Sequence, residues 1–176
     1  MTPAALFAAI ILVAAAPPST NSTDPLAPAR SGQLQCYMPN VAKKTCHTLA
    51  QYIWAADGSI QNPAEVMIEE NPLVVMKGSA PVVVRSGAVC SPIRAEDIRQ
   101  ATFTIAGNPA PPQLADQIQT QLLMASADRL GKEICTTYVP DKGEYAARIT
   151  IDGVAHPELA DRMIWVKPED GFKVGP

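Results

Sequence analysis

Apolar and polar positions change their spacing several times along this chain, and each change predicts an element. Ala4 to Ala16 is an unbroken apolar run of thirteen residues with no charge. A spanning helix needs roughly 20 such residues, whereas the apolar region of a secretory signal has about 7–15. Cleavage after the small residues Val13-Ala14-Ala15 gives a signal peptide over 1–15. No Lys or Arg precedes the run, so its positive end is the α-amino group alone. The first cysteine, Cys36, lies well beyond the run, which argues against lipidation. Residues 16–31 show no apolar period and are dominated by Pro, Ser, Thr and Asn. Such a stretch buries too little apolar area to offset its ordering entropy and reads as an extended linker. Within it, Asn21-Ser22-Thr23 is an N-glycosylation sequon by pattern, meaningful in a eukaryotic source.

Residues 32–176 predict a single domain. Gln33-Leu34-Gln35-Cys36-Tyr37 alternates and predicts a strand that Pro39 stops. A helical turn near 40–45 and a strand near 47–55 follow, with Asp57-Gly58 as a hairpin signal before a returning strand. Leu73–Lys77 and Pro81–Arg85 are continuous β-branched runs, expected as two strands buried on both faces and separated by Gly78-Ser79. Ser91-Pro92 is a helix start by composition, opening a short helix to about Gln100. Thr102–Ile105 is a strand. Leu114, Ile118, Leu122 and Ala125 form one apolar stripe and predict the longest helix, about 111–130, stopped at Gly131. Glu133–Val139, Glu144–Ile151 and Met163–Val166 are further strands. The expectation is an α+β fold: a mainly antiparallel sheet with one long helix and one or two short ones.

Charge and composition narrow the class of function. The chain has 176 residues, 14 Lys+Arg against 17 Asp+Glu, and a net charge of -3. That balance argues against a basic nucleic-acid face. Charged residues make up 18% of the chain, with 47% hydrophobic, which argues against wholesale disorder. The 17 prolines divide between the linker and the punctuation of strands and helices.

Cys36, Cys46, Cys90 and Cys135 are an even set behind an export signal, which predicts two disulfides. Of three pairings, Cys36–Cys46 with Cys90–Cys135 is favoured, the first bracketing the turn-prone Met38-Pro39-Asn40. There is no Cys-x-x-Cys redox motif. Cys46-His47 with Cys36 is a poor zinc set, because adjacent residues seldom both reach one tetrahedral ion. No cofactor or metal is expected.

The sequence carries no Gly-x-Ser-x-Gly elbow, phosphate loop, His-Glu-x-x-His or calcium loop. His47 and His156 are the only histidines and read as ordinary surface or packing residues. Glu69-Glu70 and Glu96-Asp97 are adjacent carboxylates that point apart, unlike an acid/base pair facing one site. Tyr52 and Trp54 share one face of a strand, as core or as an exposed stacking pair. No catalytic residue is assigned. The expectation is an exported, non-catalytic binding or envelope-associated accessory protein, secreted or periplasmic, whose partner is a protein or an envelope component. It has no nucleic-acid role and no transmembrane span after the signal. One alternative is a secreted or periplasmic hydrolase-type enzyme working through scattered carboxylates and hydroxyls. Another is an inhibitor of an extracellular enzyme acting through the Cys36–Cys46 loop.

Overall fold

A computed structural model describes residues 24–176. The signal, the first half of the linker and the Asn21 sequon lie outside the described residues. The expected α+β class is corrected: the described chain is 47% strand and 20% helical, and its centre is a closed eight-stranded antiparallel β-barrel. The strands are β1 (Leu34–Tyr37), β2 (Thr45–Cys46), β3 (Thr48–Ala50), β4 (Ile53–Trp54), β5 (Ile60–Glu70), β6 (Leu73–Arg85), β7 (Ala88–Pro92), β8 (Thr102–Ile105), β9 (Asn108–Pro109), β10 (Glu133–Asp141), β11 (Glu144–Ile151), β12 (Val154–Ala155), β13 (Asp161–Val166) and β14 (Lys173–Val174). Three helices accompany them: α1 (Ala27–Arg30), α2 (Ala95–Gln100) and α3 (Pro112–Ala125).

The ring runs β1-β3-β5-β6-β7-β10-β11-β13 and returns to β1. Each ring strand pairs with the next one in the chain, so this is an up-and-down barrel. The first and last strands close it in antiparallel register, Leu34 opposite Val166 and Tyr37 opposite Met163. Closure removes the free edges that an open sheet presents.

The two ends differ. One carries the tight turns at Gly58, Gly87 and Gly143, each glycine at positive φ, and the entry of α1 into β1. The other carries the Cys36–Cys46 loop and the long excursion over residues 93–132. That excursion holds α2, β8, β9 and α3 and separates the ring neighbours β7 and β10.

Several local expectations change with closure. The two runs either side of Gly78 are one strand, β6. Its residues alternate instead of being buried on both faces: Val82 is buried and Val83 is half exposed. Ser91-Pro92 ends β7, and α2 begins only at Ala95. The longest helix is α3, over 112–125 and not 111–130; residues 126–131 turn, with Gly131 at positive φ. None of its residues is buried. It packs on α2, where Gln119 Nε2 donates to the carbonyls of Arg99 and Ala101. A helix outside the core cannot form the second layer of an α+β fold.

Candidate functional site

Alternation along β1 places Gln35 and Tyr37 inside the barrel, with Leu34 and Cys36 outside. Inside, Gln35 lies beside Trp165 of β13 and Ala50 of β3, and Tyr37 lies beside Met163 and Thr48. Gln35 is wholly buried. Its Oε1 accepts from the hydroxyls of Tyr52 at 2.9 Å and Tyr37 at 3.2 Å. The Tyr138 hydroxyl lies 2.8 Å from that of Tyr37 and 3.4 Å from that of Tyr52. Three tyrosines and one amide from β1, β10 and the segment between β3 and β4 thus meet in the barrel. Burial raises the pKa of Tyr37 well above the usual phenol value, reinforced by Tyr138, Tyr52 and Asp161. Burial and Tyr138 likewise raise that of Tyr52. These hydroxyls stay neutral and act as hydrogen-bonding groups.

Above this array the barrel end is stoppered. Leu26 is completely buried and Ala29 nearly so, in one cluster with Tyr52, Val82 and Val89, against which Trp54, Ile60, Val84, Tyr138 and Trp165 pack. The stopper is braced locally. Asp24 accepts from the Leu26 amide at 3.0 Å and from Arg30 Nε at 2.7 Å, and these bonds, the Arg30 one first, hold its carboxyl below the usual range. The Arg30 guanidinium lies 4.6 Å from the Trp54 ring centroid, a cation–π contact. Residues 27–30, expected within the linker, therefore form a helix that belongs to the barrel.

At the opposite end, α2 lies over the inner face of β5 and β6. The two pack at ordinary contact distance: a Cβ on Gly78 would meet Ala101 Cβ at 3.7 Å. Between them lies an apolar hollow of about 180 Å³, lined by Asn62, Ala64, Val66, Met76, Gly78 and Ile98 among others. On the outside, a groove of about 260 Å³ runs past Leu34, Leu49 and Pro63 to the Glu65–Lys77 ion pair. A second apolar cluster, Cys36, Cys46 and Val166 with Leu34, Leu49, Ile164 and Phe172, lies against the outer wall. The C-terminal β14, parallel to β2, borders it.

The four cysteines form two disulfides, Cys36–Cys46 and Cys90–Cys135. Cys90 and Cys135 are directly opposed on β7 and β10, so their bond ties the two strands from which the excursion leaves. Glu133 lies close to this pair, but a disulfide offers no thiolate to a metal. Cys36–Cys46 braces a tight loop in which Val41–Lys44 are all exposed and Asn40 bridges to Thr45.

The histidines are not brought together. His47 lies between β2 and β3, with Nδ1 3.4 Å from Thr48 Oγ1. His156 lies in the loop after β12, 2.7 Å from Glu158. That hydrogen bond lowers the Glu158 pKa. Glu69-Glu70 end β5 on the exposed side, and Glu96-Asp97 sit in the first turn of α2, where Arg94 Nε donates to Asp97 at 3.0 Å. Tyr52 and Trp54 are core neighbours, their rings 6.3 Å apart. Sequence reasoning missed Gln35, Leu26 and Arg30. Asp24 followed by Pro25 and Pro28 was the available helix-start signal for the last two.

Two disulfides fit an oxidising compartment. Among the described residues no helix is long and apolar enough to cross a membrane. Comparison of the chain with protein-family models, with curated proteins and with solved structures returns no match.

Proposed function

We propose that this is an exported, secreted or periplasmic, non-catalytic binding protein, and that its excursion end is a binding surface for an apolar ligand or the apolar side chain of a partner. The observation that carries this is the hollow of about 180 Å³ between β5–β6 and α2. Concave apolar sites with a few polar groups are the usual form of a small-ligand pocket, and here Asn62 and Asp97 supply the polar rim. The outward wall carries paired charges, Glu65–Lys77, Arg85–Glu133 and Arg162–Glu144, which suit water and not lipid.

Ala64 pairs with Ala50 on one side and Gly78 on the other, so an Ala64→Phe ring fills the hollow across its small neighbours. Titration of the exported chain with 8-anilinonaphthalene-1-sulfonate should show saturable binding that Ala64→Phe weakens at least tenfold. Binding indifferent to Ala64→Phe removes the hollow from the account. A hydrolytic activity lost on substituting His47 or His156 overturns the non-catalytic reading.

A second reading rests on the Cys36–Cys46 loop, whose exposed tip Val41-Ala42-Lys43-Lys44 is braced by the disulfide and by the Asn40–Thr45 bridge. It is the form expected of an inhibitor loop. Loss of partner capture on deleting residues 38–44 from a chain that still folds would favour it over the hollow.

A further inference from the structure

We propose that Met38, His47 and Met67 form a binding site for a soft monovalent metal ion, Cu(I), on the outer wall of the barrel beside the Cys36–Cys46 loop. Strand register carries this. Tyr37 stands opposite Thr48, and Thr48 opposite Val66. One step further along the same three segments come Met38, His47 and Met67. The backbone ties this next row together: the His47 amide donates to the Tyr37 carbonyl at 3.0 Å, and the Met67 amide to the His47 carbonyl at 2.9 Å. Tyr37 and Thr48 face the interior and Val66 lines the hollow beneath α2, so alternation turns His47 and Met67 outward. Met38 leaves β1 at a positive φ of 46°. All three line one shallow hollow of about 320 Å³. His47 thus has a thioether-bearing neighbour on either side. The three residues are far apart in the sequence, and no Met-x-x-Met spacing announces them.

Directly opposed residues on neighbouring strands have Cβ atoms roughly 5 Å apart, a gap that one ion can bridge when the side chains are long. Methionine is such a side chain, unbranched and flexible, with a polarizable sulfur. The imidazole is the third donor. His47 Nδ1 lies 3.4 Å from Thr48 Oγ1, the kind of second partner that usually orients a ligating histidine, which leaves Nε2 for the metal. Thioethers select Cu(I), and imidazole suits copper as well. All three donors are neutral, which matches a monovalent cation better than a divalent one. A hard cation needs several oxygen ligands, and Glu70 is the one carboxylate side chain among the described residues lining the hollow. Lys43 also lines it, but this lysine is exposed and its long stem carries the ammonium into water. Thiolates do not compete, because all four cysteines are in disulfides. Met38 is 45% exposed and the other two are half-buried, so an ion reaches the row from solvent with no element moving.

The experiment titrates tetrakis(acetonitrile)copper(I) into the exported chain without oxygen, in competition with bicinchoninate, whose Cu(I) complex is coloured. The chain should withdraw one equivalent of Cu(I) from the chelator, and excess Zn(II) should not displace it. Met38→Leu and Met67→Leu remove sulfur while nearly conserving volume. Each should weaken binding at least tenfold, and so should His47→Gln. Methyl NMR of the native chain labelled at methionine locates the site, with Ag(I) as an air-stable probe of the same chemistry. Ag(I) should shift the Met38 and Met67 methyls and leave those of Met76, Met124 and Met163 in place. Because that measurement needs no variant, it decides the matter if a substituted chain fails to fold. Equal Cu(I) affinity in the native chain and in Met38→Leu/Met67→Leu overturns the proposal. So do Met38 and Met67 methyls that stay put with Ag(I), or displacement of Cu(I) by Zn(II).

Discussion

Gln35 shows how a single residue escapes its own sequence pattern. The alternation of Gln33 to Tyr37 was legible and β1 forms there. The pattern alone favours Leu34 and Cys36 as the inward set, because they are the more apolar pair. The structure places them outside, in the cluster with Phe172, and turns Gln35 and Tyr37 inward. Tyr37 and Tyr52 give this a measurable consequence. Both have pKa values raised by burial, so folding stability is full below the unfolded phenol value of about 10 and falls as pH rises above it. The slope is about 1.4 kcal/mol per pH unit for each such tyrosine. Absorbance at 295 nm should show these two phenols ionising only together with alkaline unfolding. Independent, reversible titration of all four tyrosines near pH 10 in the folded protein would contradict their burial.

Among the elements, strands were more legible than helices. Leu34–Tyr37, Thr102–Ile105, Glu144–Ile151 and Met163–Val166 lie in strands as the sequence pattern put them, because a strand with one face in a core keeps a period of two. The break expected at Gly78 did not occur. The strand runs on through Gly78, held by pairing with Ala64 of β5, a contact between segments that no local signal reports. The stripe of α3 was visible, but periodicity does not say how deeply a stripe is buried, and α3 has no buried residue. The Cys90–Cys135 bond acts at this scale by holding β7 to β10 at the base of the excursion. With its cysteines 45 positions apart, loop-closure entropy assigns it roughly 4 kcal/mol, against about 3 for Cys36–Cys46. Chemical denaturation of Cys90→Ser/Cys135→Ser should therefore show a loss of about 2–4 kcal/mol, with faster amide exchange in residues 88–92 and 133–136. A loss confined to the Cys36–Cys46 loop would place the staple elsewhere.

For the whole molecule, closure is the property that the chain did not announce. Each ring strand pairs with its sequence neighbour, which an open meander also does. What distinguishes the barrel is the single long-range seam between β1 and β13, joining residues more than a hundred positions apart. Local patterning carries no information about that seam, and the helical stripe at 114–125 biased the fold class towards α+β. The same closure creates an interior, and with it the buried tyrosine and glutamine array, the stopper and the hollow beneath α2. The binding account stands on that interior. The most direct test is the seam itself, read by cross-strand backbone NOEs in solution. The account predicts contacts between Leu34 and Val166, Gln35 and Trp165, and Tyr37 and Met163, with slowly exchanging amides on both strands. Absence of these contacts, with β1 and β13 exchanging as free edges, would show an open sheet and contradict the account.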